Sequence, residues 1–278
     1  MRFGEEKWRL KVLSTKAGGS LTVTKPKRGG ERKMKQSKMG ISVTAERFVA
    51  FLDIMGFKDF VYRHNHAQVE DLMRRVAQAT GEVEYWERYA LRKRKAGSRK
   101  PVDMGTVLPV MFSDSILLVS RSNSVHDARK IVYAVSFLLY RLFTAGVPVK
   151  GALAHGLFTA DFEHSVFFGK PLIDSYALGE ESLFYGAVLH HTFDEYLHTH
   201  KVVFPKSLVK VNRLPMRGGS VTHSYVDWQN HLGTSDAVEK LAPRAVLNAF
   251  YRSVSGSARR YVDNSVGIYI KGGSPVAS

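Results

Sequence analysis

The hydrophobic and polar positions of this 278-residue chain divide it into two textures. The first forty residues are polar, carry Gly18-Gly19 and Gly29-Gly30, and show no sustained apolar period, which predicts a mostly unstructured leader with nothing to build a core from. From residue 46 the texture changes. Arg47-Phe48-Val49-Ala50-Phe51-Leu52 is a nearly continuous apolar run, short and rich in β-formers, and predicts a strand buried on both faces. It ends in a polar interruption with a glycine, Asp53-Ile54-Met55-Gly56-Phe57. Val69, Leu72, Met73, Val76, Ala79 and Val83 then recur at three- and four-residue spacings and predict a helix over 68–94, closed by the basic run Arg92-Lys93-Arg94-Lys95 where the helix dipole favours cations.

Two apolar runs, 107–112 and 116–119, flank Ser113-Asp114-Ser115 and predict a β-hairpin with an acid at its tip. A second amphipathic helix is predicted over 127–145 with Gly146 as its terminator, followed by strands at 147–153 and 165–168 and a helix over 172–184. Strands at 202–204 and 225–228, a helix over 237–254 and a closing strand at 266–270 complete the expectation. The class is α+β, a mostly antiparallel sheet with flanking helices. Two regions are expected: the leader, 1–40, and one domain with a C-terminal elaboration, 41–278.

Composition narrows the possibilities. The 44% hydrophobic content is that of an ordinary globular core and excludes a wholly disordered chain. With no Cys there is no disulfide framework, thiolate nucleophile, zinc ribbon or iron–sulfur ligation. No apolar stretch approaches the ~18 residues a membrane-spanning helix needs, and the start lacks a secretory signal, so a cytoplasmic protein without a membrane partner is expected. The net charge of +16 first suggests nucleic acid. Yet +9 of it belongs to residues 1–40, a further seven cations without an acid lie between Arg88 and Lys100, and the remainder of the chain sums to zero. The body is electrically balanced, and nucleic acid is not the expected partner. The leader reads as an extension outside the domain, with Met39 its expected true start, rather than as a binding arm.

Asp53 and Asp114 are the most informative candidates for chemistry. Each ends or interrupts an apolar strand, where an unpaired carboxylate is costly to bury. A divalent cation shared by the two and completed by nucleotide phosphates is one solution. A turn capped by each aspartate is another, and spacing alone leaves both open. His190, Asp194 and His198 fall on one helix face, but they match no zinc motif and read as a polar face rather than a metal patch. The basic run 88–100 lacks interleaved aromatics beyond Tyr89 and reads as a helix end with a solvated loop, and Gly218-Gly219 as a turn without Walker spacing.

Four segments in order resemble the class III nucleotidyl cyclases. Phe51-Leu52-Asp53-Ile54-Met55-Gly56-Phe57 is similar to that family's strand ending in F-x-D-I-x-G-F, and Phe112-Ser113-Asp114-Ser115 to its hairpin tip with the second metal aspartate. Val149-Lys150-Gly151-Ala152-Leu153-Ala154-His155-Gly156 resembles its R-I-G-I-H-x-G strand, and Gly169 to Tyr176 the start of its G-x-x-V-N-x-A-x-R helix. The resemblance implies a ferredoxin-like core and two metal ions, Mn²⁺ or Mg²⁺, held by Asp53, Asp114 and the Ile54 carbonyl. It implies attack of the ribose 3′-hydroxyl on the α-phosphorus as pyrophosphate leaves, and β- and γ-phosphates on the Met55-Gly56-Phe57 turn.

It also implies departures. Ile173 and Ala177 stand where purine cyclases carry a transition-state Asn and Arg, and Val110 and Val166 where polar residues select the purine. D-I-x-G-F, F-S-D-S, Ser175-Tyr176 and the closing Arg260-Tyr261-Val262-Asp263-Asn264-Ser265 together resemble the pyrimidine cyclases of the bacterial Pycsar antiphage systems. That likeness implies a uridylate cyclase in preference to a cytidylate cyclase, acting as a head-to-tail homodimer with sites at the interface, whose cyclic nucleotide a separate effector protein reads. Phe51 would narrow the base pocket, Tyr176 would replace the Asn, and Lys170, Lys150 or Arg260 would supply the phosphate cation, with Lys170 preferred. The alternative is a catalytically inactive nucleotide- or nucleic-acid-binding module on the same fold.

Overall fold

The computed structural model describes residues 43–94, 107–204, 208–231, 242–271 and 274–275, all within the larger of the two units into which the chain divides, 34–278. The expectations for the leader and for the side chains of the 88–100 run lie outside the described residues.

The first half of the domain follows the hydrophobic pattern closely. β1 (Thr44–Ile54) is followed by a short helix α1 (Phe57–Arg63), the long α2 (His66–Arg94), the hairpin β2 (Val107–Phe112) and β3 (Ser115–Ser120), α3 (Val125–Thr144) and β4 (Val149–Asp161). These strands lie in the order β2-β3-β1-β4, antiparallel throughout, which with the two helices gives the expected ferredoxin-like βαββαβ core. α3 starts where Ser124 accepts a hydrogen bond from the Asp127 N–H at 3.1 Å, and Gly146 follows its end at φ 76°.

β5 (Val166–Gly169) pairs with β4, and α4 (Lys170–Glu181) then crosses to β6 (Gly186–Leu189), which runs parallel to β4. After α5 (His191–Thr199) come the hairpin β7 (Val209–Met216) and β8 (Gly219–Val226), α6 (Pro243–Ala249), α7 (Arg259–Lys271) and the short β9 (Ser274–Pro275) beside β7. Phe48, Ala50 and Leu52 of β1 pack with α2 and α3 in the main core. On the other sheet face Val49 joins Leu117, Val119, Phe158 and Ala160 beneath Leu172 of α4. β1 is therefore covered on both faces, as its continuous apolar run requires.

Three expectations fail. Residues 202–204 are irregular, and the strand of that region is β7, whose alternation of Leu214 and Met216 with exposed Arg213 the apolar run at 202 overshadowed. Residues 266–270 are helix, not strand. Val262, Ser265, Ile268 and Tyr269 are all buried, a three- and four-residue spacing that begins upstream of the β-branched run. The helix expected over 237–254 is confined in the described residues to α6 and a following 3₁₀ turn, Phe250–Arg252, with 237–241 outside them.

Candidate functional site

β1 delivers Asp53 to the sheet's end, and the β2–β3 turn delivers Asp114 to the same place. The Ile54 N–H donates to the Asp114 carbonyl at 2.9 Å, and Asp53 pairs in register with Ser115, so hairpin tip and strand end are tied backbone to backbone. Ser113 holds φ 54° in that two-residue turn. The Ile54 side chain is buried in the core, leaving its backbone to face the site. Met55 donates its N–H to the Pro148 carbonyl at 2.9 Å, which fixes the chain as it leaves the sheet. Gly56 then adopts φ 77°, a left-handed conformation that side chains with a Cβ resist, and opens α1 at Phe57. The first N–H groups of such a helix have no intrahelical acceptor. The Phe57 ring itself packs on the main core, so only its backbone is offered to a ligand.

Burial pushes the Asp53 carboxyl up to about 6, and the Asp114 charge adds to the rise; Lys150 opposes it and Glu180 reinforces it. Asp53 makes no ion pair or side-chain hydrogen bond among the described residues. Two carboxylates brought together on fixed backbone, one of them raised and unpaired, fit hard divalent cations that take oxygen ligands. Among the described residues no third His, Asp or Glu joins them in a closed metal cluster.

α4 lies across the same sheet face. Its approach depends on Gly179, where a Cβ would stand 3.0 Å from the Gly151 Cα; Gly151 is itself required by β1, since a Cβ there would stand 2.0 Å from the Phe51 carbonyl oxygen. The helix places the Tyr176 ring edge-on to Phe51, with centroids 5.5 Å apart, so two of the expected substrate-facing aromatics meet. Ile173, Tyr176 and Ala177 lie on the outward side of α4, Ile173 and Tyr176 being 67% and 53% exposed.

The expected phosphate cations are scattered. Lys170 is exposed at the start of α4 and pairs with Asp174 at 2.5 Å. It stands about 15 Å along the helix from Glu180, the end that borders Asp53. Arg260 lies on α7 over the Tyr261 ring, 5.7 Å from its centroid. Lys150 sits opposite Asp53 in the β1–β4 register, but its ammonium is buried and bound to Glu180 at 2.9 Å. Val110 is half-buried and Val166 exposed. The closing run is structural: Ser265 Oγ accepts the Tyr185 N–H at 2.9 Å, and Asn264 donates to the Leu183 carbonyl at 2.7 Å, which ties α7 to the chain entering β6.

His190 caps α5 by accepting the Thr192 N–H, and Asp194 is turned inward to accept a hydrogen bond from Ser224, with burial pushing it up to about 6. The polar face expected there is thus partly inward. What sequence reasoning missed is Glu180 and Arg217. The only signal for either was charge, which most surface residues share.

No protein-family model and no curated protein matches this chain. Among solved structures it is similar to the catalytic core of a rhodopsin-guanylyl cyclase with converted specificity in complex with ATPαS, at 18% identity over 66% of this chain and 95% of that one, TM-score 0.42. It is similar to a bacterial light-regulated adenylyl cyclase at 8% identity over 76% and 99% of the two chains, TM-score 0.44. A class III adenylyl cyclase-like ATP-binding protein from Pseudomonas aeruginosa aligns at 13% identity over 78% of this chain and 45% of that one, TM-score 0.37. At these identities and scores the likenesses decide neither activity nor substrate. No helix among the described residues is long and apolar enough to cross a membrane.

Proposed function

We propose that this protein is a nucleotidyl cyclase that converts UTP, or CTP, to the 3′,5′-cyclic nucleotide and pyrophosphate. The observation that carries the reading is the juxtaposition of Asp53 and Asp114, two acids 61 positions apart that β1 and the β2–β3 turn bring to one end of the sheet. Asp53, Asp114 and the Ile54 carbonyl would hold Mn²⁺ or Mg²⁺, which when bound supplies positive charge for the triphosphate and lowers the pKa of the ribose 3′-hydroxyl. The chain's own residues bind and orient. The Met55-Gly56-Phe57 turn offers the Gly56 and Phe57 N–H groups to the terminal phosphates, the Met55 N–H being held by the Pro148 carbonyl. Phe51 and Tyr176 form the wall of the base site, and their edge-on contact makes it narrow, which favours a pyrimidine. Val110 and Val166 offer no side-chain hydrogen bond to a purine edge.

Ile173 and Ala177 face away from their own sheet, and Tyr176 is half exposed beside Phe51, so in a head-to-tail homodimer these three and Lys170 would lie toward the partner's aspartates. That arrangement accounts for an apolar helix surface beside a charged site and for a site short of cations among the described residues of one protomer. The resemblance to the Pycsar enzymes supports a second messenger of antiphage defence, read by a separate effector protein. The test is incubation of the purified chain with each of ATP, GTP, CTP and UTP and Mn²⁺. Cyclic UMP or CMP as the main product is the expected result, and no cyclic product from any of the four would overturn the reading.

A further inference from the structure

Lys150 poses a problem of charge. It is 3% exposed, so its ammonium cannot reach water and requires an anion. Two carboxylates are within its range. One is Asp53, directly across the β1–β4 pair on the same sheet face; the other is Glu180, above it at the end of α4. The ammonium is turned to Glu180, donating to its carboxylate at 2.9 Å and to its backbone carbonyl at 3.4 Å. Glu180 is itself anchored by Arg217 at 3.0 Å, from the β7–β8 turn. That turn is strapped to α4 by the Arg217 N–H donating to the Glu181 carbonyl at 2.8 Å and by the Leu183 N–H donating to Pro215 at 2.9 Å. Among the described residues Asp53 is left unpaired as a result.

We infer that Glu180 is a positioning residue for the metal site: by holding the Lys150 ammonium away from Asp53 it keeps that carboxylate open to a divalent cation. The inference rests on the cyclase reading for the identity of the cation, and deepens it by naming what keeps the site vacant of an internal competitor. A lysine placed opposite a metal aspartate would otherwise neutralise it. Glu180, Arg217 and the β7–β8 turn prevent that from the C-terminal end of α4, through no contact with substrate.

The test is Mn²⁺ alone, titrated into the full chain without nucleotide and followed by the electron paramagnetic resonance of the free ion. Glu180→Gln is isosteric and strands Lys150, whose nearest remaining anion is Asp53; Mn²⁺ affinity should fall about tenfold, the effect of one charge at close range. Lys150→Met removes the competitor and frees Glu180, so affinity should rise about tenfold. Glu181→Gln, which removes the same charge from the same helix end without touching Lys150, should leave affinity unchanged, and melting curves should show all three variants folded. A packing role alone would not move Glu180→Gln and Lys150→Met in opposite directions. If wild type binds Mn²⁺ and Asp53→Asn abolishes binding, yet Glu180→Gln binds as wild type or Glu181→Gln falls equally, this inference is overturned and the cyclase reading stands. If wild type binds no Mn²⁺, both are overturned.

Discussion

Asp53 and Asp194 show what burial does to single carboxylates. Both are pushed up to about 6 from an ordinary value of 3.8, chiefly by desolvation. Between about pH 4 and pH 6 the folded chain therefore keeps protons that the unfolded chain has released, and stability falls as pH rises through that window. Burial holds His155, His190 and His223 below the ordinary imidazole value, which acts in the opposite sense, so the aspartate contribution is read as a difference. From pH 5 to pH 7 the metal-free wild type should lose more melting temperature, or gain less, than an Asp53→Asn/Asp194→Asn double variant in differential scanning calorimetry. Asp53→Asn should raise the melting temperature at pH 7 while abolishing cyclic-nucleotide formation, and Asp194→Asn should raise it with activity kept. The same change in melting temperature between pH 5 and 7 in the wild type and the double variant would contradict this account. Sequence marked Asp53 because it breaks an apolar run, but Asp194 looked like one member of an exposed face. Its inward turn depends on Ser224, thirty residues later and in another element, which no local period announces.

Among the elements, α4 is the most constrained. The Gly151–Gly179 contact sets its height above β1 and β4, and so fixes Tyr176 against Phe51 and Glu180 against Lys150. Gly151→Ala would force a methyl into the β1 backbone and should destabilise by about 3 kcal/mol or more, the upper range of overpacking. Gly179→Ala meets its neighbour less severely. It should cost about 1 kcal/mol but lower kcat more than that loss of stability implies, because the helix is lifted from the aromatic wall. Chemical denaturation beside steady-state kinetics separates the two effects. Helices α2 and α3 were legible in the sequence because their period is internal to them. α7 was not, since Val266 to Ile270 alone has strand composition and only burial of Val262 and Ser265 reveals the helical face.

For the whole molecule the proposal is a site completed across two copies. Ile173→Glu should convert a dimer to a monomer and abolish turnover with little change in melting, since Ile173 is exposed within the protomer; light scattering during size exclusion would read the mass. Mixing Asp53→Ala with Tyr176→Ala protomers should restore about a quarter of wild-type activity, because half the dimers are mixed and each carries one intact site. No restoration would place Tyr176 and Asp53 in one protomer's site. Removal of residues 1–38 should leave product formation unchanged, as expected if the leader's charge serves no step of the reaction.

By itself the sequence determined the α+β class, the buried first strand, the two long helices and the positions of both candidate metal acids. Each of these is a local property: a period, a run or a polar break within a single segment. The tertiary structure decided what those residues face. It joined Asp53 to Asp114, set Tyr176 on Phe51, turned Lys150 from an expected phosphate ligand into a partner of Glu180, and made a helix of the closing apolar run. The reason is that a buried charge takes its meaning from its nearest counter-charge. Here that counter-charge lies thirty residues away, across a helix packing distance that the contact of Gly179 with Gly151 determines.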